Sequence, residues 1–250
     1  MTWKEVGARF GEAQAPAVML PLGSIEAHGP HLPLDTDTVI AVKLAETAAE
    51  LLAKNGTDAL CAPAVPLAAA SWAEEFPGTV SLTEEAARGV LSGAMHALKR
   101  SGASRIAIVN LHFDPVHMVA LRAVVDEARL QGLPELVFTD LTRRNNAKRI
   151  GGEFATGSCH GGEFETSLML AADPALVRPS YRELPFLNVD LAAAIREGKR
   201  SFRQVGLKDG YCGNPAKATA QEGWRLYHAM AQILFEEAAA AWKLPRARKS

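Results

Sequence analysis

A three-layer α/β/α sandwich around a largely parallel sheet is the fold class predicted for this chain, and three observations predict it. Short apolar runs alternate along the sequence with longer stretches of helical periodicity. The runs are nearly unbroken rather than alternating polar and apolar, as strands buried on both faces are. Loops carrying His, Asp and Glu follow the ends of the runs, where open α/β sheets bind ligands. With 250 residues and 48% hydrophobic side chains there is material for one large core. No linker or internal repeat divides the chain, so residues 1–250 are read as a single domain.

The elements follow in order. Ala17–Leu22 (AVMLPL) is an apolar run that stops at Gly23 and reads as a buried strand. Residues 39–54 have Ala, Leu and Glu at helical spacing and close on Asn55-Gly56, a helix stop. Residues 60–65 read as a second strand. Residues 83–101 read as a helix, with Thr83 as its cap, Glu84 and Glu85 in the first turn, and Lys99 and Arg100 in the last. Ile106–Asn110 (IAIVN) is β-branched and the clearest strand. Helices are predicted over 115–132, 164–172 and 221–242, and a short strand over 136–139. Residues 246–250 read as a frayed tail.

Composition narrows the function classes. A net charge of -1 with 22% charged residues lacks the basic surplus of a nucleic-acid binder. Cys61, Cys159 and Cys212 are odd in number and widely spaced, which fits a reducing compartment and neither a disulfide framework nor a zinc knuckle. The first ten residues lack the apolar stretch of a secretory signal. No apolar run approaches the roughly 18 residues of a membrane span. The expectation is a cytoplasmic protein with neither nucleic acid nor membrane as partner.

Three segments carry chemistry. The first runs from Pro21 to Asp37 and places two His, one Glu and two Asp between positions 26 and 37. In an extended segment Glu26 and His28 point to the same side. Carboxylate plus imidazole suits zinc, manganese or iron(II) better than calcium. Asp35 and Asp37 compete for one inward position, and His31 reads as a residue that holds the loop. In the second segment His112 follows the best strand, with Phe113, Asp114 and Pro115 after it. Asp114 suits both a metal ligand and the N-cap of the next helix, while His117 reads as a supporting residue. The third is Cys159-His160-Gly161-Gly162-Glu163-Phe164-Glu165, where His160 and Glu165 are candidates for acid–base catalysis or ligation. Cys159 beside His160 also admits a nucleophile, although neighbouring residues usually point apart.

Together these segments resemble the creatininase (creatinine amidohydrolase) family. The likeness extends to Phe76-Pro77-Gly78-Thr79, to residues 210–215 and to Gly223, and covers about residues 17 to 230. It implies a compact α/β domain, a cytoplasmic homo-oligomer, often a hexamer, and two divalent metals per chain: zinc first, with manganese or iron as alternatives. In the carried-over roles Asp37 bridges the metals and Glu26 and His112 complete one site. His28 serves the other with an acid from Asp114 or Glu165, and His160 moves protons. Phe113, Trp72 and Cys159 are assigned to the substrate pocket. The chain departs from creatininase itself at Cys159, where that enzyme has an acidic residue, which argues against creatinine as substrate. The expected reaction is metal-assisted hydrolysis of a C–N amide bond in a small molecule, cyclic or linear. A deformylase, a small-peptide peptidase in cofactor metabolism and a keto-sugar hydrolase are the neighbouring family readings, and a Cys159-dependent amidase is the rival outside it.

Overall fold

Four parallel strands order the molecule: β1 (Ala17–Leu22), β2 (Ala59–Cys61), β3 (Ile106–Asn110) and β4 (Leu136–Phe138), arranged β2-β1-β3-β4. The computed structural model describes residues 1–133 and 135–244; the tail at 246–250, read above as frayed, lies outside them. Val18 stands opposite Ile106 and Leu22 opposite Asn110, so β1 and β3 end level. Among the described residues eight α-helices surround the sheet: α1 (Trp3–Phe10), α2 (Thr36–Lys54), α3 (Glu84–Arg100), α4 (Pro115–Leu130), α5 (Arg144–Ile150), α6 (Glu163–Ala172), α7 (Leu191–Arg196) and α8 (Ala220–Ala241).

Strand side chains alternate between two cores. Val18, Leu20, Leu22, Ile106 and Ile108 pack against Leu91 and Met95 of α3 and Leu121, Val124 and Val125 of α4. Met19, Ala107 and Val109 pack against Ile40 and Leu44 of α2, Leu168 of α6, and Tyr227 and Met230 of α8. Each large side chain so buried contributes roughly 1.5–3 kcal/mol of transfer free energy. Two covered faces are the reason the strands read as unbroken apolar runs.

Caps fix the helix starts near the site. Thr83 Oγ1 accepts from Ala86 N–H at 3.2 Å, and Asp114 accepts from Val116 N–H at 2.8 Å with Pro115 as the first residue of α4. Three expectations change. The helix predicted from residue 39 starts at Thr36, which moves Asp37 from the loop into its first turn. The strand predicted over 60–65 is only Ala59–Cys61, because Pro63 and Pro66 have no N–H to give; Val65 makes an isolated bridge to Leu22. Helices α1, α5 and α7 were not predicted. The Thr2–Glu5 capping box of α1 is legible, but the helix buries no residue, and α5 and α7 are too short for periodicity.

The order β2-β1-β3-β4 sends the chain to one side after β1 and to the other after β3. The two loops part at the carboxyl ends of these central strands, the switch point where open sheets leave a crevice.

Candidate metal centre

Four stretches of chain converge on that crevice. The loop after β1 brings Glu26 and His28, the first turn of α2 brings Asp37, the loop after β3 brings His112, and the approach to α6 brings His160 and Glu165. All six side chains are buried. Gly161 lets the last segment reach the first: its φ is +62°, and a Cβ there would lie 2.8 Å from Tyr211 Cβ and 3.1 Å from the His28 carbonyl oxygen.

Asp37 lies between two histidines. Its Oδ1 is 3.0 Å from His28 Nε2, and its Oδ2 is 2.9 Å from His112 Nδ1. Ser24 Oγ donates to Oδ2 at 2.8 Å. Each histidine has its far nitrogen tied to a backbone carbonyl. His112 Nε2–H donates to Ala69 O at 2.7 Å, and His28 Nδ1–H donates to Glu26 O at 3.1 Å. That leaves the near nitrogens facing carboxylates, the arrangement in which a histidine ligates a metal. Glu26 Oε1 is 3.3 Å from His112 Nδ1, and Glu165 Oε2 is 3.6 Å from His28 Nε2.

The ligand atoms fall into three groups, each within 4.8 Å: Glu26–Asp37–His112, His28–Asp37–Glu165 and Glu26–His28–His160. Three buried carboxylates gathered in one place need cations. His28 Nε2, fully buried, has no hydrogen bond despite its carboxylate neighbours. Donor chemistry and orphaned nitrogen both fit divalent ions of the zinc, manganese or iron(II) type.

The electrostatics agree. Burial would lower the basicity of His28, but Asp37, Glu165 and Glu26 override it and raise its pKa to about 10. His112 is likewise raised against burial, by Glu26 and Asp37. Burial works to raise Asp37, but the two histidines hold it well below the usual carboxylate range. Burial lifts Glu165 to about 8, against the pull of His28. In the metal-free protein, protons occupy the places that fit cations.

His160 is different. Burial and the neighbouring His28 push it well below the ordinary histidine range. Its Nε2–H donates to Ala27 O at 2.8 Å, so Nδ1 is bare and lies 3.9 Å from Glu26 Oε1. The ring is held between His28 and Phe202, each with its centroid 4.3 Å away.

The remaining candidates separate. Asp114 belongs to none of the three groups. Its oxygens accept from Ser71 Oγ, from Trp72 N–H and from the first turn of α4, so of its two expected roles the structure shows the N-cap. Asp35 is exposed, and Asp37 takes the inward position. His31 donates from Nε2 to the Thr166 hydroxyl at 2.9 Å and holds the loop. His117 is buried, donates from Nε2 to Asn110 Oδ1 at 2.9 Å and packs its ring on His112. Glu163 belongs to none of the three ligand groups. Trp72, Phe113 and Cys159 all line one cavity of about 760 Å³ that opens from the cluster.

Several residues escaped the sequence reading. Ser24 stood within the first motif and was passed over. Phe202 has no motif around it; only the fold brings it to His160. Glu153 accepts from the N–H groups of Phe164 and Asn214 at 2.9 and 2.6 Å and clamps the start of α6. The supporting carbonyls of Ala27 and Ala69 are backbone and leave no sequence signal.

The family model "Creatininase: Creatinine amidohydrolase" matches residues 1–237. A mycofactocin precursor peptide peptidase from Mycobacterium ulcerans (strain Agy99) is 34% identical over 223 residues, covering 86% of this chain and 81% of the relative. A creatinine amidohydrolase from Pseudomonas putida is 29% identical over 192 residues, covering 71% and 72%. A creatininase crystal structure superposes with a TM-score of 0.73 at 23% identity, over 98% of this chain and 96% of the other. A structure described as creatininase Mn gives a TM-score of 0.71 at 24% identity, over 98% and 97%.

Proposed function

The chain belongs to the creatininase family of hydrolases, and on that premise we propose that it is a metal-dependent amidohydrolase cleaving a C–N amide bond of a small molecule, a short peptide before a cyclic amide. The observation that carries the reading is Asp37, with one carboxylate oxygen toward His28 and the other toward His112. The similarity to a peptide peptidase and the size of the cavity favour a linear peptide.

Glu26, Asp37 and His112 would hold one ion; His28, Asp37 and Glu165 the other. Zinc is the first choice, with manganese or iron as alternatives. Two such ions supply an acidified water and polarise the scissile carbonyl. The chain's own residues do the rest. The carbonyls of Ala69 and Glu26 keep the two histidines in the tautomers that face the carboxylates. His160 accepts a proton at Nδ1 as the amide carbon is attacked and returns it to the departing nitrogen. Its Nδ1 carries no proton and is free to accept one, and the rings of His28 and Phe202 on either side stop it from turning away. Trp72 and Phe113 line the route and limit water.

The whole chain acts as one domain in this reading, as a cytoplasmic homo-oligomer, a hexamer by family resemblance, which light scattering on the purified protein measures. No described helix is long and apolar enough to cross a membrane. A thiol mechanism at Cys159 is disfavoured, since burial pushes its pKa well up and nearby Glu165 pushes it further.

Elemental analysis of the purified protein, with turnover of a panel of cyclic and linear amides before and after chelation, tests the proposal. About two metals per chain and activity lost to the chelator support it. A metal-free protein whose activity survives chelation overturns it.

A further inference from the structure

The mouth of the cavity carries charges that the metal chemistry leaves unused. Arg144 and Lys148 lie four residues apart on one face of α5, and Arg196 ends α7; all three are exposed and line the cavity. Other arginines close by are paired. Arg122 donates twice to Asp140, at 3.0 and 2.8 Å, Arg143 approaches the same carboxylate, and Arg149 pairs with Glu236. Arg144, Lys148 and Arg196 enter no ion pair among the described residues. Asp190, the exposed carboxylate among the described lining residues, caps α7 and accepts from Ala193 N–H at 2.8 Å.

This grouping does not follow from a basic protein, because the net charge is -1. Like charges at i and i+4 repel one another on a helix, a repulsion that a bound anion offsets. The wall between mouth and cluster is largely apolar, with Leu111, Phe113 and Phe202 among its side chains. One cavity is thus lined by the buried cluster, by apolar side chains and by three exposed cations that enter no ion pair among the described residues. Its volume of about 760 Å³ lies toward the upper end of small-ligand sites.

We infer that Arg144, Lys148 and Arg196 form an anion subsite that takes a carboxylate of the substrate while the apolar wall takes a bulky side chain nearer the scissile amide. The inference rests on the amide-hydrolase reading and narrows it to acidic peptides. A peptide offers that carboxylate either as an acidic side chain or as its free C-terminus.

The test uses the metal-loaded full-length protein and labelled Phe-containing pentapeptides in matched forms: an Asp or an Asn near one end, and a free or an amidated C-terminus. Equilibrium binding is read by fluorescence anisotropy, and cleavage separately by mass spectrometry. The acidic forms are expected to bind about tenfold more tightly than the neutral ones at low salt, as two or three partly screened pairs would give. Added salt shrinks the ratio, and the doubly substituted Arg144→Gln/Lys148→Gln protein, and Arg196→Gln separately, bring it toward one. Whether the Asp or the C-terminus carries the discrimination identifies the source of the carboxylate. Equal binding of acidic and neutral forms, no binding at all, or a ratio untouched by the substitutions overturns the subsite. Charge-selective binding without cleavage in any form leaves the subsite standing and removes the hydrolase reading. Cleavage without charge preference does the reverse.

Discussion

His28 Nε2 faces Asp37 Oδ1 at 3.0 Å within a buried cluster of carboxylates that raises the basicity of the imidazole. Its proton is retained through the charge of the surrounding carboxylates, and a metal ion must displace it. His28 keeps its proton up to about pH 10 and Glu165 up to about pH 8, and His112 is raised in the same way. Each is protonated in the metal-free state at neutral pH and deprotonated as a ligand. Metal binding therefore releases protons, and apparent affinity rises with pH by up to about tenfold per unit for each proton displaced. The rise is steepest below about pH 8 and flattens toward pH 10. Zinc titration calorimetry between pH 6 and 8, in buffers of different ionisation enthalpy, measures the released protons directly. An affinity that does not change with pH contradicts the arrangement.

In the proposed two-ion arrangement Glu165 and Asp114 are the alternative acids for the second ion, and their surroundings separate them. Glu165 Oε2 reaches His28 Nε2 at 3.6 Å, whereas Asp114 is engaged by Ser71, Trp72 and the start of α4. Glu165→Gln is expected to lower the metal content from about two ions per chain to about one. Asp114→Ala is expected to keep both ions but to lose a helix cap and to leave the Trp72 N–H and Ser71 hydroxyl without their acceptor, a cost of about 2–4 kcal/mol and a fall in Tm of several degrees. Elemental analysis beside a melting curve reads both effects, and a metal loss in the Asp114 variant with none in the Glu165 variant reverses the assignment.

The division between what was and was not legible has a physical basis. β3 was read to the residue because Ile106–Asn110 is β-branched, unbroken and buried on both faces. The clustering in the first segment was legible because Glu26 and His28 stand two residues apart just after an apolar strand, and the fold gathers them with Asp37. Asp35 against Asp37 was not decidable from spacing; the early start of α2 at Thr36 decides it by turning Asp37 inward. Asp114 stands outside the three ligand groups because the chain bends into α4 just after His112 and the carboxylate caps that helix. Phe202 was invisible because nothing local marks it and only long-range folding brings it to His160. Gly223 was noted as part of a family pattern, but its reason is visible only in the packing of α8 on α6.

That packing makes a prediction against helix propensity. Gly223 lies in the first turns of α8, where alanine is intrinsically favoured over glycine by about 1 kcal/mol. A Cβ at this position would stand 2.0 Å from the Ser167 carbonyl oxygen and 2.7 Å from Ala171 Cβ. The first of these is backbone of α6 and has no rotamer to escape into. Gly223→Ala is therefore expected to destabilise by about 1–3 kcal/mol, with a drop in Tm of several degrees. Because α6 carries Glu165, metal affinity should weaken in the same variant. An unchanged or higher Tm would show that α6 and α8 separate at little cost.

His160 makes the last test, because it distinguishes proton transfer from ligation. With Nε2–H committed to Ala27 and Nδ1 directed toward Glu26, His160 is positioned to carry a proton, yet its nitrogen also falls in a group with Glu26 and His28. If it carries protons, His160→Ala should retain about two metals and lose roughly 10²–10⁴ in kcat, the range for one positioned acid–base group, with a smaller change in KM. If it ligates, metal content falls together with kcat. Cys159→Ala serves as the control in the neighbouring position: its thiol is held protonated by burial and by Glu165, so turnover should stay within a few-fold of the parent protein. A Cys159 variant without activity, beside a His160 variant with full activity, would transfer the chemistry to the thiol.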